Sequence, residues 1–142
     1  MLIVRVLIVD DFGPWREFVI EQLTQQSHVR VLDCVSDGLE AVQKAEELQP
    51  DLIFLDIGLP SLDGIEAARQ IRKRVPKAKI VFVSSDSDPD VVRAAFLAGG
   101  LGYILKSDAG GALLTGMEAV LLGRQFVSPS LTNVKDVFGE EK

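Results

Sequence analysis

Side chains that could do chemistry stand directly after the apolar runs of this sequence, where buried strands would end. Two acids follow the first run, one acid follows the third, two serines follow the fourth and a lysine follows the fifth. These residues are Asp10, Asp11, Asp56, Ser84, Ser85 and Lys106. A carboxylate can attack phosphorus as a nucleophile and form an aspartyl phosphate. The residue types therefore indicate phosphoryl chemistry, provided that the fold brings the strand ends together.

A cation is the natural partner of the three carboxylates. Like charges at close range repel, so a site formed by Asp10, Asp11 and Asp56 requires a positive ion. An all-oxygen ligand set with few carboxylates suits Mg²⁺, which keeps several waters and leaves positions for phosphate oxygens. Taken singly, each acid could cap a helix or a turn, and Lys106 could be a solvated charge. Their shared position at strand ends favours a common site.

The elements that would position these residues are visible in the hydrophobic pattern. Continuous apolar runs predict five strands, over residues 4–9, 29–35, 52–55, 79–84 and 102–105. Apolar residues at helical spacing follow each run and predict five helices. The second helix begins at Asp37 with Glu40 three residues later, a pair similar to a capping box, and Asp88 precedes the fourth helix.

The alternation of strands and helices predicts an α/β fold, a five-stranded parallel sheet with helices on both faces in the flavodoxin-like doubly wound arrangement. The first, third and fourth runs are the most continuously apolar, so they should be central. This is compatible with the strand order 2-1-3-4-5. In that order the first and third strands are neighbours, about 4.8 Å apart, and ligands bind in the crevice beside them. We expect Asp10, Asp11 and Asp56 to meet there.

Composition limits the classes of function. The 142 residues fit one domain, which we place at residues 1–124, with residues 125–142 as a C-terminal tail or the start of a linker. A net charge of −6 argues against nucleic-acid contact by this chain, because such contact relies on positive surface. The apolar runs are too short to cross a membrane. The single cysteine, Cys34, allows no intramolecular disulfide, which agrees with a cytoplasmic location.

Four segments together resemble the receiver domain of bacterial two-component response regulators. They read VLIVDD, PDLIFLDIGLPSLDG, IVFVSS and GYILK, and the resemblance covers about residues 3–123. The ordered set of an acid pair, D-x-x-x-P-x-x-x-G, a serine and a lysine is far more specific than any one motif. The closing segment GRQFVSPSL resembles the subfamily whose receivers precede a helix-turn-helix DNA-binding domain.

The resemblance implies a role for each polar side chain of the site. Asp56 matches the phosphoacceptor, and Lys106 matches the lysine that pairs with the phosphoryl group. Ser84 matches the switch hydroxyl, and Tyr103 matches the aromatic residue whose rotation follows it. Without the resemblance, Tyr103 would be interpreted as a partly buried packing residue with its hydroxyl in water.

The resemblance also implies a Mg²⁺ site. Asp11 matches the principal acidic ligand, Asp10 its partner, and the carbonyl of Gly58 the third protein ligand beside the Asp56 carboxylate. A histidine kinase is the implied phosphoryl donor. The domain would assist its own phosphorylation and dephosphorylation without being an enzyme in the usual sense. A homodimer could form through the fourth helix, fifth strand and fifth helix.

The sequence departs from the family pattern at two positions near the site. Ser107 stands where many receivers have proline, and Gly58 replaces a larger side chain.

Two other functions stay open. A phosphohydrolase of the haloacid dehalogenase type would also use Asp56 as nucleophile, but it needs a second acid at the position of Gly58. A receiver-like interaction module that is never phosphorylated is the other alternative. An assay with a small phosphodonor would distinguish it from a receiver.

Overall fold

The computed structural model describes residues 2–131, and six parallel strands form its single sheet in the order β2-β1-β3-β4-β5-β6. The strands are β1 (Val4–Val9), β2 (Val29–Val35), β3 (Leu52–Leu55), β4 (Lys79–Ser84), β5 (Gly100–Leu105) and β6 (Phe126–Val127). The predicted order 2-1-3-4-5 is confirmed, and the short β6 extends it beyond β5.

Five helices alternate with these strands. They are α1 (Gly13–Thr24), α2 (Gly38–Leu48), α3 (Gly64–Arg74), α4 (Pro89–Leu97) and α5 (Ala109–Leu121). A single 3-10 turn, Lys106–Asp108, joins β5 to α5. Buried residues of α2, α3 and α4 pack in one core cluster, and those of α1 and α5 pack in another. The sheet is therefore covered on both faces. Among residues 2–131, no helix has the length and apolar character needed to cross a membrane.

The helix starts follow the predicted capping residues. The Asp37 side chain accepts a hydrogen bond from the backbone N–H of Glu40 at 3.0 Å, which fixes the start of α2. The Asp88 side chain accepts from the backbone N–H of Asp90 at 2.9 Å at the start of α4. Each side chain satisfies an N–H group that the first helical turn leaves free.

The register of the central strands places the residues of interest side by side. Ile8 of β1 pairs with Phe54 of β3, and Val9 pairs with Leu55. The backbone N–H of Asp56 donates to the carbonyl of Val9 at 3.0 Å. Asp56 therefore leaves β3 at the level where β1 ends.

The end of the described chain packs back onto the sheet. Phe126 and Val127 form β6, and Ser128 and Leu131 are buried beyond it. Two residues are too few to show a period in sequence, so the hydrophobic pattern predicts five strands and not this sixth one. The proposed domain boundary after residue 124 stays a prediction, and the predicted tail lies outside the described residues from position 132 onward.

Candidate functional site

Three carboxylates meet at the carboxyl edge of β1 and β3. One side-chain oxygen from each of Asp10, Asp11 and Asp56 can be chosen so that all three atoms lie within 4.8 Å of one another. Asp10 is 1% exposed and Asp56 is 9% exposed, whereas Asp11 lies in solvent. The parallel register produces this cluster, since both strands end at the same edge. The predicted meeting of the three acids is confirmed.

Lys106 reaches into the cluster from the end of β5. Its Nζ lies 2.8 Å from Oδ2 of Asp10 and 3.5 Å from Oδ2 of Asp56. The same ammonium lies 5.2 Å from the ring centroid of Trp15, close enough for a cation–π interaction. Oδ2 of Asp10 is buried and accepts no hydrogen bond from residues 2–131. The ion pair with Lys106 is therefore its electrostatic compensation.

The environment of Asp56 disfavours the ionised form of its carboxyl group. Burial raises the pKa of the Asp56 carboxyl, the neighbouring Asp10 charge raises it further, and Lys106 lowers it. The backbone N–H of Ile57 donates to Oδ1 of Asp56 at 2.8 Å. Oδ2 of Asp56 faces the Lys106 ammonium. These two contacts position the carboxylate, but they do not offset the effect of burial and of the Asp10 charge on its pKa.

A glycine allows α3 to approach Asp56. A Cβ atom on Gly64 would lie 1.9 Å from the Asp56 carbonyl oxygen, a distance that no side chain could tolerate. The Gly64 N–H donates to the carbonyl of Ile57 at 2.7 Å and closes the loop. Gly58 is different, because a Cβ there would meet no atom of the described residues within 4 Å. Packing thus requires glycine at position 64 but not at position 58.

Ser84 and Tyr103 are linked through Asp86. The Ser84 hydroxyl oxygen accepts from the backbone N–H of Asp86 at 3.0 Å, and the Tyr103 hydroxyl donates to the Asp86 carbonyl at 2.7 Å. Tyr103 is fully buried, so its hydroxyl does not lie in water. The interpretation from the pattern alone, a partly buried residue with its hydroxyl in water, is therefore wrong. Burial raises the pKa of Tyr103 to about 12, with Ser84 lowering it and the Asp86 charge raising it.

Sequence reasoning missed two residues of this environment. Trp15 lies under the Lys106 ammonium, and Asp86 connects the two predicted switch residues. The short distance of Trp15 from the acid pair along the chain is a signal that could have identified it. Asp86 contributes only backbone groups to this link, so its side-chain type carries no such signal.

The donor set fits a divalent cation. Three carboxylates offer oxygen ligands close together, and the single ammonium of Lys106 is shared between two of them. Mg²⁺ takes oxygen ligands of this kind and keeps several waters. The cluster is therefore a candidate Mg²⁺ site.

Comparison with known proteins identifies the family. The family model of the response regulator receiver domain matches residues 6–117. The chain is 31% identical over 130 residues to the transcriptional regulatory protein DegU of Brevibacillus brevis, covering 92% of this chain and 55% of that protein. It is 35% identical over 120 residues to LiaR of Bacillus subtilis, another transcriptional regulatory protein, covering 84% and 57%. The chain thus spans little more than half the length of these relatives.

Solved structures of response regulators have the same fold as this chain. A two-component response regulator of the LuxR family from Aurantimonas sp. SI85-9A1 superposes with a TM-score of 0.90 at 30% identity, covering 97% of this chain and 99% of the other. The signal receiver domain of the putative regulator NarL from Mycobacterium tuberculosis has a TM-score of 0.83 at 27% identity, covering 87% and 100%. The chain belongs to the response regulator receiver domains of two-component phosphoryl-transfer signalling.

Proposed function

We propose that Asp56 is the phosphoacceptor of this receiver and that a histidine kinase is its phosphoryl donor. One observation supports the assignment most strongly. The Asp56 carboxylate is nearly buried, yet it lies 3.5 Å from the Lys106 ammonium and within reach of two further acids. A carboxylate placed only for stability would be fully paired or solvated, whereas this one favours a further cation, which could also bind phosphoryl oxygens.

The transfer follows from the position of Asp56. Its Oδ2 attacks phosphorus, the bond from phosphorus to the donor imidazole nitrogen breaks, and the electron pair stays on that nitrogen. Lys106 offers a positive charge to the phosphoryl oxygens. Mg²⁺, held by Asp10, Asp11, Asp56 and the Gly58 carbonyl, would supply further positive charge to the same oxygens. Attack by water later releases phosphate, so the domain assists both its own phosphorylation and its own dephosphorylation.

The signal leaves through Ser84 and Tyr103. Phosphorylation adds about −1.5 to −2 charges and new acceptor oxygens at Asp56. The Ser84 hydroxyl donates to one of these oxygens by moving inward, and this movement changes its present contact with the Asp86 N–H. Asp86 also holds the Tyr103 hydroxyl, so the change reaches α4, β5 and α5. We propose that this face controls self-association or partner binding, a homodimer included.

The transcriptional role of the relatives supports a proposal for the output of this receiver. DegU and LiaR are transcriptional regulatory proteins, and this chain spans 55% and 57% of their lengths. We propose that the receiver acts in the cytoplasm and controls transcription through a DNA-binding domain, with no nucleic-acid contact of its own. The net charge of −6 supports this division of roles.

A phosphorylation assay tests the proposal. Incubation with Mg²⁺ and acetyl phosphate should add one acid-stable, base-labile phosphoryl group, detected by intact-mass spectrometry. Asp56→Asn should abolish the addition, while the matched control Asp90→Asn, at an exposed acid of α4, should not. Uptake by Asp56→Asn at the wild-type rate would contradict the assignment. Failure of the wild type to take up phosphoryl from any donor would instead favour the unphosphorylated interaction module.

A further inference from the structure

The last described residues are bound to the strand that carries Tyr103. Residues 126–131 are named the exit segment here, because the chain leaves the receiver through them. Within it, Val127 pairs with Tyr103 and Phe126 pairs with Gly102. The backbone N–H of Ser128 donates to the carbonyl of Tyr103 at 2.9 Å. The exit segment therefore contacts a proposed switch residue directly.

Asp108 holds the exit segment with its side chain. Its carboxylate accepts hydrogen bonds from the Ser128 hydroxyl, from the backbone N–H of Ser130 at 3.0 Å and from the Ser130 hydroxyl at 2.6 Å. These bonds are charge-assisted, which makes them stronger than neutral ones. They also lower the pKa of Asp108, the Ser128 bond most of all, so the carboxylate stays ionised at neutral pH.

The position of Asp108 makes this use of its carboxylate unusual. It directly precedes α5, where an aspartate normally caps the helix by accepting from a backbone N–H of the first turn. Within the described residues the Asp108 side chain makes no such bond to α5. Its hydrogen bonds go instead to a segment about twenty residues further along the chain. Helix capping therefore does not explain the residue.

One short turn connects Asp108 to the phosphorylation site. The 3-10 turn has Lys106 at one end and Asp108 at the other, and the Ala109 N–H closes it on the Lys106 carbonyl. The Lys106 ammonium is engaged by the site carboxylates, and the Asp108 carboxylate is engaged by the exit segment. Because the turn is so short, a displacement of Lys106 would also displace Asp108.

Packing supports the exit segment along its length. A Cβ on Gly116 of α5 would lie 2.8 Å from the Phe126 ring, so the ring lies directly against the helix backbone. Leu131 is 8% exposed and belongs to the same core cluster as Tyr103. These contacts give the exit segment a defined docked position.

We propose that Asp108 is the tether through which phosphorylation of Asp56 loosens the exit segment, and with it the connection to any following domain. This proposal rests on the proposed function of Asp56. Phosphoryl oxygens draw the Lys106 ammonium away from Asp10, the turn shifts, and the hydrogen bonds to Asp108 lose their alignment. Coupling between two sites is reciprocal, so release of the segment also changes how readily the site binds a phosphoryl mimic.

Limited proteolysis of the full chain tests the tether. Arg124 is exposed and directly precedes the exit segment, and trypsin can cut after it only when the neighbouring residues are extended and free. Wild type, Asp108→Ala, Ser130→Ala and the control Glu118→Ala, at an exposed acid of α5, are treated with trypsin with and without acetyl phosphate and Mg²⁺. Mass spectrometry of each sample reports both the phosphoryl group and cleavage after Arg124.

We expect phosphorylation to raise the cleavage rate after Arg124 in wild type and Glu118→Ala by about fivefold or more, the lower range of allosteric coupling. Asp108→Ala should be cut rapidly without phosphorylation and show no further rise. Ser130→Ala removes a single hydroxyl from the tether, so it should give an intermediate rate even if Asp108→Ala does not fold.

Three outcomes would each overturn the tether while leaving the proposed function intact. The first is a phosphorylated wild type that is cut after Arg124 at the unphosphorylated rate. The second is a full phosphorylation-dependent rise in Asp108→Ala. The third is an unphosphorylated rate in Ser130→Ala equal to that of wild type. A wild type that takes up no phosphoryl group from acetyl phosphate or from any other donor would overturn the proposed function, and the tether with it.

Discussion

The ammonium of Lys106 lies 2.8 Å from Oδ2 of Asp10, and this ion pair holds the lysine that follows β5 against the acid that follows β1. The pair crosses the crevice in which Asp56 lies, so the same cation also faces Asp56 at 3.5 Å. Two buried acids share one lysine. The site therefore holds more carboxylates than the one ammonium can balance.

Replacement of this lysine should destabilise the protein. Lys106→Met leaves Asp10 buried without a counter-charge, and such a loss costs about 3 kcal/mol of unfolding free energy. Lys44→Met is the matched control, because Lys44 pairs with Asp33 and Glu47 at the surface, where removal changes stability by about 1 kcal/mol or less. Urea unfolding of both variants measures the difference. Equal losses would show that the buried pair has no special weight.

Mg²⁺ should stabilise the fold by binding the native state alone. At a Mg²⁺ concentration one hundred times the dissociation constant, the gain is about 2.7 kcal/mol. Asp11→Asn should weaken the binding and reduce the gain at any given Mg²⁺ concentration, while changing the metal-free stability little, because Asp11 is exposed. Thermal unfolding against Mg²⁺ concentration measures this, with Asp90→Asn as control. A melting temperature of the wild type that millimolar Mg²⁺ does not move would contradict the site.

A methyl group at Gly64 should disrupt the loop after the phosphoacceptor. Gly64→Ala places a Cβ 1.9 Å from the Asp56 carbonyl oxygen, so the loop must shift, at a cost of about 1–3 kcal/mol in unfolding free energy. Gly110→Ala is the control, since a Cβ there meets no described atom within 4 Å and alanine favours the helix by up to about 1 kcal/mol. Chemical denaturation should show opposite signs. Equal tolerance of both changes would disprove the close approach.

Tyr103 provides a spectroscopic test of its own burial, because it is the single tyrosine of the chain. Its folded pKa is raised to about 12, against about 10 in an unfolded chain. The stability contributed by the neutral phenol is fully present below pH about 10 and is lost as the pH rises through about 12. Phenolate absorbance should therefore appear near pH 12 in the native protein. Titration near pH 10 in protein that is still folded would place the hydroxyl in water.

The sequence was sufficient for the strand order and the meeting of the acids. Long apolar runs identify the central strands, and parallel strands bring their carboxyl ends to one edge, so the positions of Asp10, Asp11 and Asp56 follow. The roles of the individual residues, including the Gly58 carbonyl, stay predictions. The motif D-x-x-x-P-x-x-x-G includes Gly64, but the reason for this glycine is its contact with the Asp56 backbone, which depends on the tertiary fold.

The contacts that were missed have no periodic signal. The bonds from Asp108 to Ser128 and Ser130 join residues about twenty positions apart, and β6 has two residues. The hydroxyl of Tyr103 could point to solvent or inward, and only the path of the loop through Asp86 decides between them. Such choices depend on tertiary packing, and local sequence does not encode them.

The identity of the phosphorylated residue is the most direct test of the whole account. Borohydride reduces an aspartyl phosphate to homoserine and leaves free carboxylates unchanged, so the phosphorylated position becomes permanently marked. Peptide mapping after phosphorylation with Mg²⁺ and acetyl phosphate, followed by reduction, should find homoserine at position 56 and aspartate at positions 10 and 11. Homoserine at position 10 or 11, or aspartate at all three in protein that had gained a phosphoryl group, would contradict the account.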